Sequence, residues 1–308
     1  MTPDVEKRQA MMSEAAGERT TRWTVVVPFF NEEGYLRATL DSLGAQSRPA
    51  RLILVDNGST DASAAIAEAF RAGRPDLDVS ILDEPRPGKA FALGRGISAA
   101  DGEFIATADA DTWYPPEYLA RAEAMMAAGG PETVAALAFG APPPDAPQHA
   151  AVLRKGAIVS KLMKRQCHTG GYGQAFRAGD LKAVGSFDPA IWPYCLMDHE
   201  IVHRLTKRHG GRARLAYSAD HWCGPSSRRA NRGRVRWTLP ERLFYHVCPF
   251  GMRDWFFYRF LARRFEQRGL SQLNLRRKDW LADARPQSAR EEADRDKADQ
   301  GDIGSSVN

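Results

Sequence analysis

The sequence predicts an α/β fold: a mostly parallel sheet covered by helices on both faces, followed by a helical C-terminal region. Three observations predict it. Between residues 23 and 139 short apolar runs, read as buried strands, alternate with segments of helical spacing. The helical segments carry start and stop signals, with Ser, Thr or Asp at their beginnings and Gly at an end. From residue 240 to 270 aromatics and arginines recur at helical spacing.

In order, "WTVVVPF" is the first strand and "EEGYLRATLDSLGAQ", with its acidic first turn, the first helix. "RLILVD" is the second strand, and "STDASAAIAEAFRAG" an alanine-rich helix closed by Gly73. "DVSILD" and "GKAFALGRGISAA" are the third strand and helix. "EFIATA" is the fourth strand, "PPEYLARAEAMMAAG" the fourth helix, and "TVAALAF" the fifth strand. The proline-rich "APPPDAP" (141–147) divides the region into halves at 22–140 and 141–240. C-terminal helices follow at 241–275. Polar tails are expected to be disordered at 1–21 and 276–308.

Composition narrows the function classes. The chain has 308 residues, enough for one large or two small domains, with a formal net charge of +5 and a pI near 9.1. Arginine concentrates after residue 204 and acidic groups in the first half, a balance that suits a phosphate-bearing or anionic partner. The four cysteines form no Cys-x-x-Cys pair, so a zinc ribbon or redox motif is not expected, and a reduced, cytoplasmic setting is. The N-terminus lacks the apolar stretch of a signal peptide, and no uncharged run reaches the ~20 residues of a membrane span. No G-x-x-x-x-G-K-[ST] is present. "GRGISA" lies inside a helical pattern rather than after a strand, so it is no dinucleotide fingerprint.

In a parallel α/β sheet, ligands bind beyond the carboxyl ends of the strands. Those ends read "PFFNEEG", "DNGSTD", "DEPRPGKAFALGRG" and "DADT". One edge therefore gathers carboxylates, glycines, Lys89 and Arg95. Taken singly, the second and fourth stretches serve equally as turns and helix caps. Taken together, Asp109 and Asp111 on extended chain can converge on one cation. Mg²⁺ and Mn²⁺ take hard oxygen ligands, and often only one or two carboxylates when a phosphate completes the shell.

"VVVPFFNEEGYL", "LILVDNGSTDAS", "RPGKAFALGRGI" and "TADADTWYPPEYL", in this order, resemble the nucleotide-sugar half of the inverting family 2 glycosyltransferases of GT-A (Rossmann-like) fold. "GGYGQAFRAGDLKAVGSFDP", "MDHEIVHRL" and "RGRVRW" resemble the family's acceptor-side segment, its Glu-Asp motif and its Gln-x-x-Arg-Trp. The resemblance implies that Pro28, Asn31 and Glu32 border the base and ribose, and that Asp56 bonds the base edge. It implies Gly88, Lys89 and Arg95 beside the nucleoside or phosphates, and Asp109 and Asp111 on ribose and metal. His221 would stand near the metal. Asp198 would be the base, with Glu200 as the alternative. Gly171, Arg234, Arg236 and Trp237 would serve the acceptor and diphosphate side. Met197 and Gly233 depart from the motifs, at the first acidic position and the glutamine.

The expected activity is therefore a metal-dependent, inverting transfer from a nucleotide sugar, a UDP-sugar by default, to an acceptor hydroxyl of a carbohydrate or a lipid-linked molecule. A sugar nucleotidyltransferase would need a glycine-rich, arginine-bearing loop where "PFFNEEG" stands. An inactive relative is the reading that Met197 and Gly233 motivate. Nucleic acid is not expected as a partner, since the arginines are scattered over apolar helices. "PERLFYHVCPFGMRDWFFYRFLARRFEQRGL" reads either as helices packed on the core or as a peripheral element at the inner face of a membrane.

Overall fold

The computed structural model describes residues 22–227 and 237–276. The expected tails lie outside the described residues, except Arg276, which closes a helix.

A seven-stranded sheet runs in the order β3-β2-β1-β4-β8-β6-β9. Its strands are β1 (Trp23–Phe29), β2 (Ala50–Asp56), β3 (Val79–Asp83), β4 (Phe104–Ala108), β6 (Thr133–Leu137), β8 (Gly173–Arg177) and β9 (Arg214–Ala216). The first four are mutually parallel, as the alternation requires. β8 is antiparallel to both β4 and β6, and β6 is parallel to β9. The proline-rich stretch therefore separates no domains: a strand from the second half sits between two strands of the first. A second sheet places β10 (Trp222–Pro225) between β5 (Thr112–Trp113) and β7 (Phe139–Gly140).

Because side chains alternate across a strand, β1 feeds two cores. Val25 and Val27 join Leu36 and Leu40 of α1 (Leu36–Gly44), Phe70 of α2 (Ser63–Gly73) and Tyr118 of α4 (Tyr118–Ala128). Val26 joins Leu93 and Ile97 of α3 (Lys89–Ser98) and Ile201 and Leu205 of α7 (Met197–Thr206). Between them in the chain lie α5 (His149–Leu162) and α6 (Ala178–Ala183).

The C-terminal region builds a third core. It comprises α8 (Leu239–Val247), a π-helical stretch Phe256–Leu261, α9 (Ala262–Gln267) and α10 (Gln272–Arg276). Tyr245, Phe256, Phe257 and Phe265 close around Trp192. Thr238 and Glu241 cap α8 reciprocally, and buried Glu241 also takes Arg264 and Arg268. No described helix is long and apolar enough to cross a membrane.

Candidate functional site

The strand ends do meet, and hydrogen bonds between loops fix how. After β1, Asn31 adopts φ +51° and its Oδ1 accepts the Thr60 N–H at 2.8 Å. The Glu32 N–H donates to Ser63 Oγ at 2.7 Å. Pro28 is buried within β1 opposite Val55, beneath this loop. After β2, Asp56 Oδ1 accepts the Ser59 N–H at 2.8 Å. Asn57 ties this loop to the next. Its Nδ2 donates to the carbonyls of Glu84 and Arg86, both at 2.8 Å, and its Oδ1 accepts the Gly88 N–H at 2.9 Å. Gly88 has φ +141°, a conformation that side chains avoid, and it starts α3 so that Lys89 faces Asp109.

The carboxylate loop is held from three sides. Thr39 of α1 donates to the Ala110 carbonyl and accepts the Thr112 N–H. The Tyr114 hydroxyl accepts the Asp109 N–H at 2.9 Å and donates to the Tyr172 carbonyl beside β8. Ser226 donates through Oγ to Asp111 Oδ2 at 2.8 Å, and through its N–H to the Asp111 carbonyl at 2.9 Å. Lys89 pairs with Asp109. Two buried carboxylates with a hydroxyl beside them form an all-oxygen donor set that fits a hard divalent cation.

Asp198 comes to the same cleft by another route. Leu196 takes the left-handed conformation, φ +58°, and turns the chain into α7 with Asp198 in its first turn. A Cβ on Gly171 would lie 3.4 Å from Asp198 Cβ and 3.8 Å from Lys89 Nζ. The Asp198 side chain and the Lys89 ammonium, which pairs with Asp109, thus face the same point beside Gly171. Cys167 Sγ, the Asp198 carboxylate and the His199 ring lie within 4.8 Å of one another. Burial pushes the His199 imidazole below its ordinary range, with the Asp198 charge working against it. Trp237 stands over His199, ring centroids 5.4 Å apart. Met197, at the departing motif position, packs among apolar side chains of two cores.

Several expectations change. His221 is not at the carboxylates. Its ring is fully buried and stacked on Tyr118 at 4.9 Å, and burial with the Arg121 charge pushes it down to about 3. Ser226, five residues on, stands at Asp111 instead. Glu200 is committed elsewhere: fully buried, it takes a two-pronged ion pair from Arg204 and the Tyr258 hydroxyl, so no acceptor group reaches it. Arg95 lies exposed on α3, where its charge acts on Glu84. Arg234 and Arg236 lie outside the described residues.

The sequence gives no hint of one further arrival. α10 crosses to the strand ends from the far side of the cleft. Its Gln272 Nε2 donates to the Tyr194 carbonyl, while Oε1 accepts the Ala90 N–H at 2.9 Å. Arg276 donates to Asn57 Oδ1 and to the Asn57 carbonyl. Its guanidinium carbon lies 3.7 Å from the centroid of the Phe30 ring. Lone arginines in a charged tail carry no signal of such a destination.

The profile of Glycosyl transferase family 2 matches residues 24–183, just over half of the chain. EpsH of Bacillus subtilis, which carries a glycosyltransferase name, is 36% identical over 111 residues, 36% of this chain and 31% of that protein. The undecaprenyl-phosphate 4-deoxy-4-formamido-L-arabinose transferase of Proteus mirabilis is 33% identical over 108 residues, 34% of this chain and 33% of that protein. The chain thus matches about a third of the length of these curated relatives. Among solved structures, the mannosyltransferase PcManGT of Pyrobaculum calidifontis, in complex with GDP-Man and Mn²⁺, superposes with a TM-score of 0.57 at 23% identity. That match covers 90% of this chain and 79% of the other. TarS residues 1–349 of S. aureus give 0.51 at 18% identity, covering 79% and 72%.

Proposed function

The chain belongs to glycosyl transferase family 2, with the GT-A fold, and on that premise we propose that it moves a sugar from a nucleoside diphosphate to an acceptor hydroxyl with inversion. The observation that carries this reading is the meeting of Asp198 with the Lys89–Asp109 pair beside Gly171. It sets the Asp198 carboxylate opposite a donor-binding wall. Asp56, Asn31 and Glu32 border the base and ribose, and Gly88 and Lys89 lie toward the phosphates. Asp111, with Asp109, would hold a divalent cation, Mg²⁺ or Mn²⁺, which when bound neutralises charge on the departing diphosphate. PcManGT was solved with Mn²⁺ and GDP-Man, and TarS with UDP-GlcNAc, which supports a nucleotide-sugar and metal reading here.

The residues divide the work. Lys89 balances Asp109 and adds positive charge where negative charge grows. Asp198 accepts the proton of the attacking hydroxyl on the face away from the leaving group, as an inverting displacement requires. His199, whose imidazole burial pushes below its ordinary range, stands beside the Asp198 carboxylate. Trp237 walls the acceptor approach beside them.

The test is a pair of substitutions. Asp111→Ala should abolish metal-dependent binding of nucleoside diphosphate, followed by calorimetry. Asp198→Asn should keep that binding yet lose about a hundredfold or more in turnover. A protein that binds no nucleoside diphosphate with Mn²⁺ or Mg²⁺ would sink the reading.

For the acceptor, one surface supports contact with an anionic membrane carrying a lipid-linked substrate. Leu239, Leu243 and Val247 repeat every four residues along α8 and are 80%, 63% and 64% exposed. Arg242, Arg259 and Arg263 lie exposed on the same helical region, giving the charge complement to anionic headgroups. The stripe begins next to Trp237, on the acceptor side.

A further inference from the structure

We propose that the base pocket is built for guanine, so that the donor is a GDP-sugar, and that the Arg276 guanidinium is the chain's own stand-in for that base. The proposal rests on the donor-site reading of Asp56 and its neighbours. It goes further by choosing the base from the pocket's chemistry.

Arg276 places a flat, multi-donor group on the Phe30 ring and directs N–H donors at Asn57 Oδ1 and at the Asn57 carbonyl. The Asn57 amide cannot turn over. Its Nδ2 is fixed by the carbonyls of Glu84 and Arg86 and its Oδ1 by the Gly88 N–H. A flipped amide would set oxygen against two carbonyls and NH₂ against an N–H. The side it presents to Arg276 is therefore an acceptor. Asp56 adds a carboxylate at the same place: one oxygen takes the Ser59 N–H, and its charge acts on Arg276. The wall is thus a carboxylate, an amide oxygen and a peptide oxygen, all acceptors.

A base that displaces the guanidinium has to satisfy that wall. Guanine presents N1–H and the N2 amino group side by side, an edge that is itself a guanidine unit. Uracil and thymine offer one N–H between two carbonyl oxygens. Cytosine and adenine offer an amino group beside an unprotonated ring nitrogen. Each of these turns at least one lone pair toward a pocket acceptor, and a site built for N–H donors rejects such a partner strongly. The uracil suggested by resemblance alone fits the wall less well than guanine. The root of α10 stays held by Gln272 and by the Ser271–Tyr194 bridge, so only the Arg276 side chain has to leave.

The experiment is calorimetric titration of the full chain with GDP, UDP, dTDP, CDP and ADP in Mn²⁺, repeated on Arg276→Ala and Asp56→Asn. GDP should bind about tenfold or more tighter than any of the others. Arg276→Ala should bind GDP more tightly than the native chain with the same ranking, because the stand-in is gone. Asp56→Asn, which can offer N–H in place of oxygen, should narrow the margin for GDP. Equal or tighter binding of UDP or dTDP overturns the choice of guanine and leaves the donor site standing. Weaker GDP binding by Arg276→Ala overturns the stand-in. No binding of any diphosphate overturns the donor-site reading and the guanine assignment together.

Discussion

At His221 the ring is fully buried, Tyr118 stacks on it, and neither nitrogen has a hydrogen-bond partner among the described residues. Its folded value, about 3, lies below the ~6.5 of an unfolded histidine. Between those values the unfolded chain takes up a proton that the folded chain refuses. The contribution is therefore fully present above about pH 6.5 and is lost as pH falls toward 3. His221→Phe keeps the stack and removes two unpaired nitrogens. It should raise the melting temperature, flatten its fall between about pH 6.5 and 4, and leave Mn²⁺-dependent nucleotide binding intact. Loss of that binding would restore His221 to the metal site. The sequence could not separate the two roles, because a histidine near a motif position looks the same whether it faces a cleft or a core. Ser226 is not legible in the sequence for the opposite reason: serines are common, and only the pairing of β10 with β5 brings this one to Asp111.

Elements were far more legible than residues. β1 to β4 and α1 to α4 lie where apolar runs and helical spacing put them, since both patterns follow from which face is buried. Two helices start later than their spacing predicts: α1 begins at Leu36 and α2 at Ser63, because the residues before them lock the loops together. β8 was not legible as a sheet strand, for its place depends on partners about 70 and 40 residues away rather than on local pattern. The apolar stripe of α8 belongs to this scale too. Vesicles containing phosphatidylserine should pull the protein down in a sedimentation assay. Leu243→Glu, at an exposed site outside the core, should cut that binding without lowering the melting temperature. Equal binding to neutral and anionic vesicles, or none, would remove the membrane from the account.

On the scale of the whole molecule, both halves of the chain share one sheet, and α10 ties Tyr194 to Ala90 and Asn57 beside the strand ends. Among the described pairings, β6 reaches the four parallel strands only through β8. A fragment ending at Gly140 would leave the β4 edge bare and β6 without its neighbour. Expressed alone, residues 22–140 should be insoluble or loosely packed, which circular dichroism and gel filtration would reveal. A soluble, cooperatively unfolding fragment would contradict this. The same threading sets the order of events at birth. As the chain leaves the ribosome, the sheet waits for residues 173–177 before its centre can close, so the nucleotide half spends that interval with an open, sticky edge. The strand that fills the sheet's centre follows Gly171 by two residues, so this glycine reaches the cleft as that gap closes, while Asp198, β9 and the third core are added by chain that emerges later.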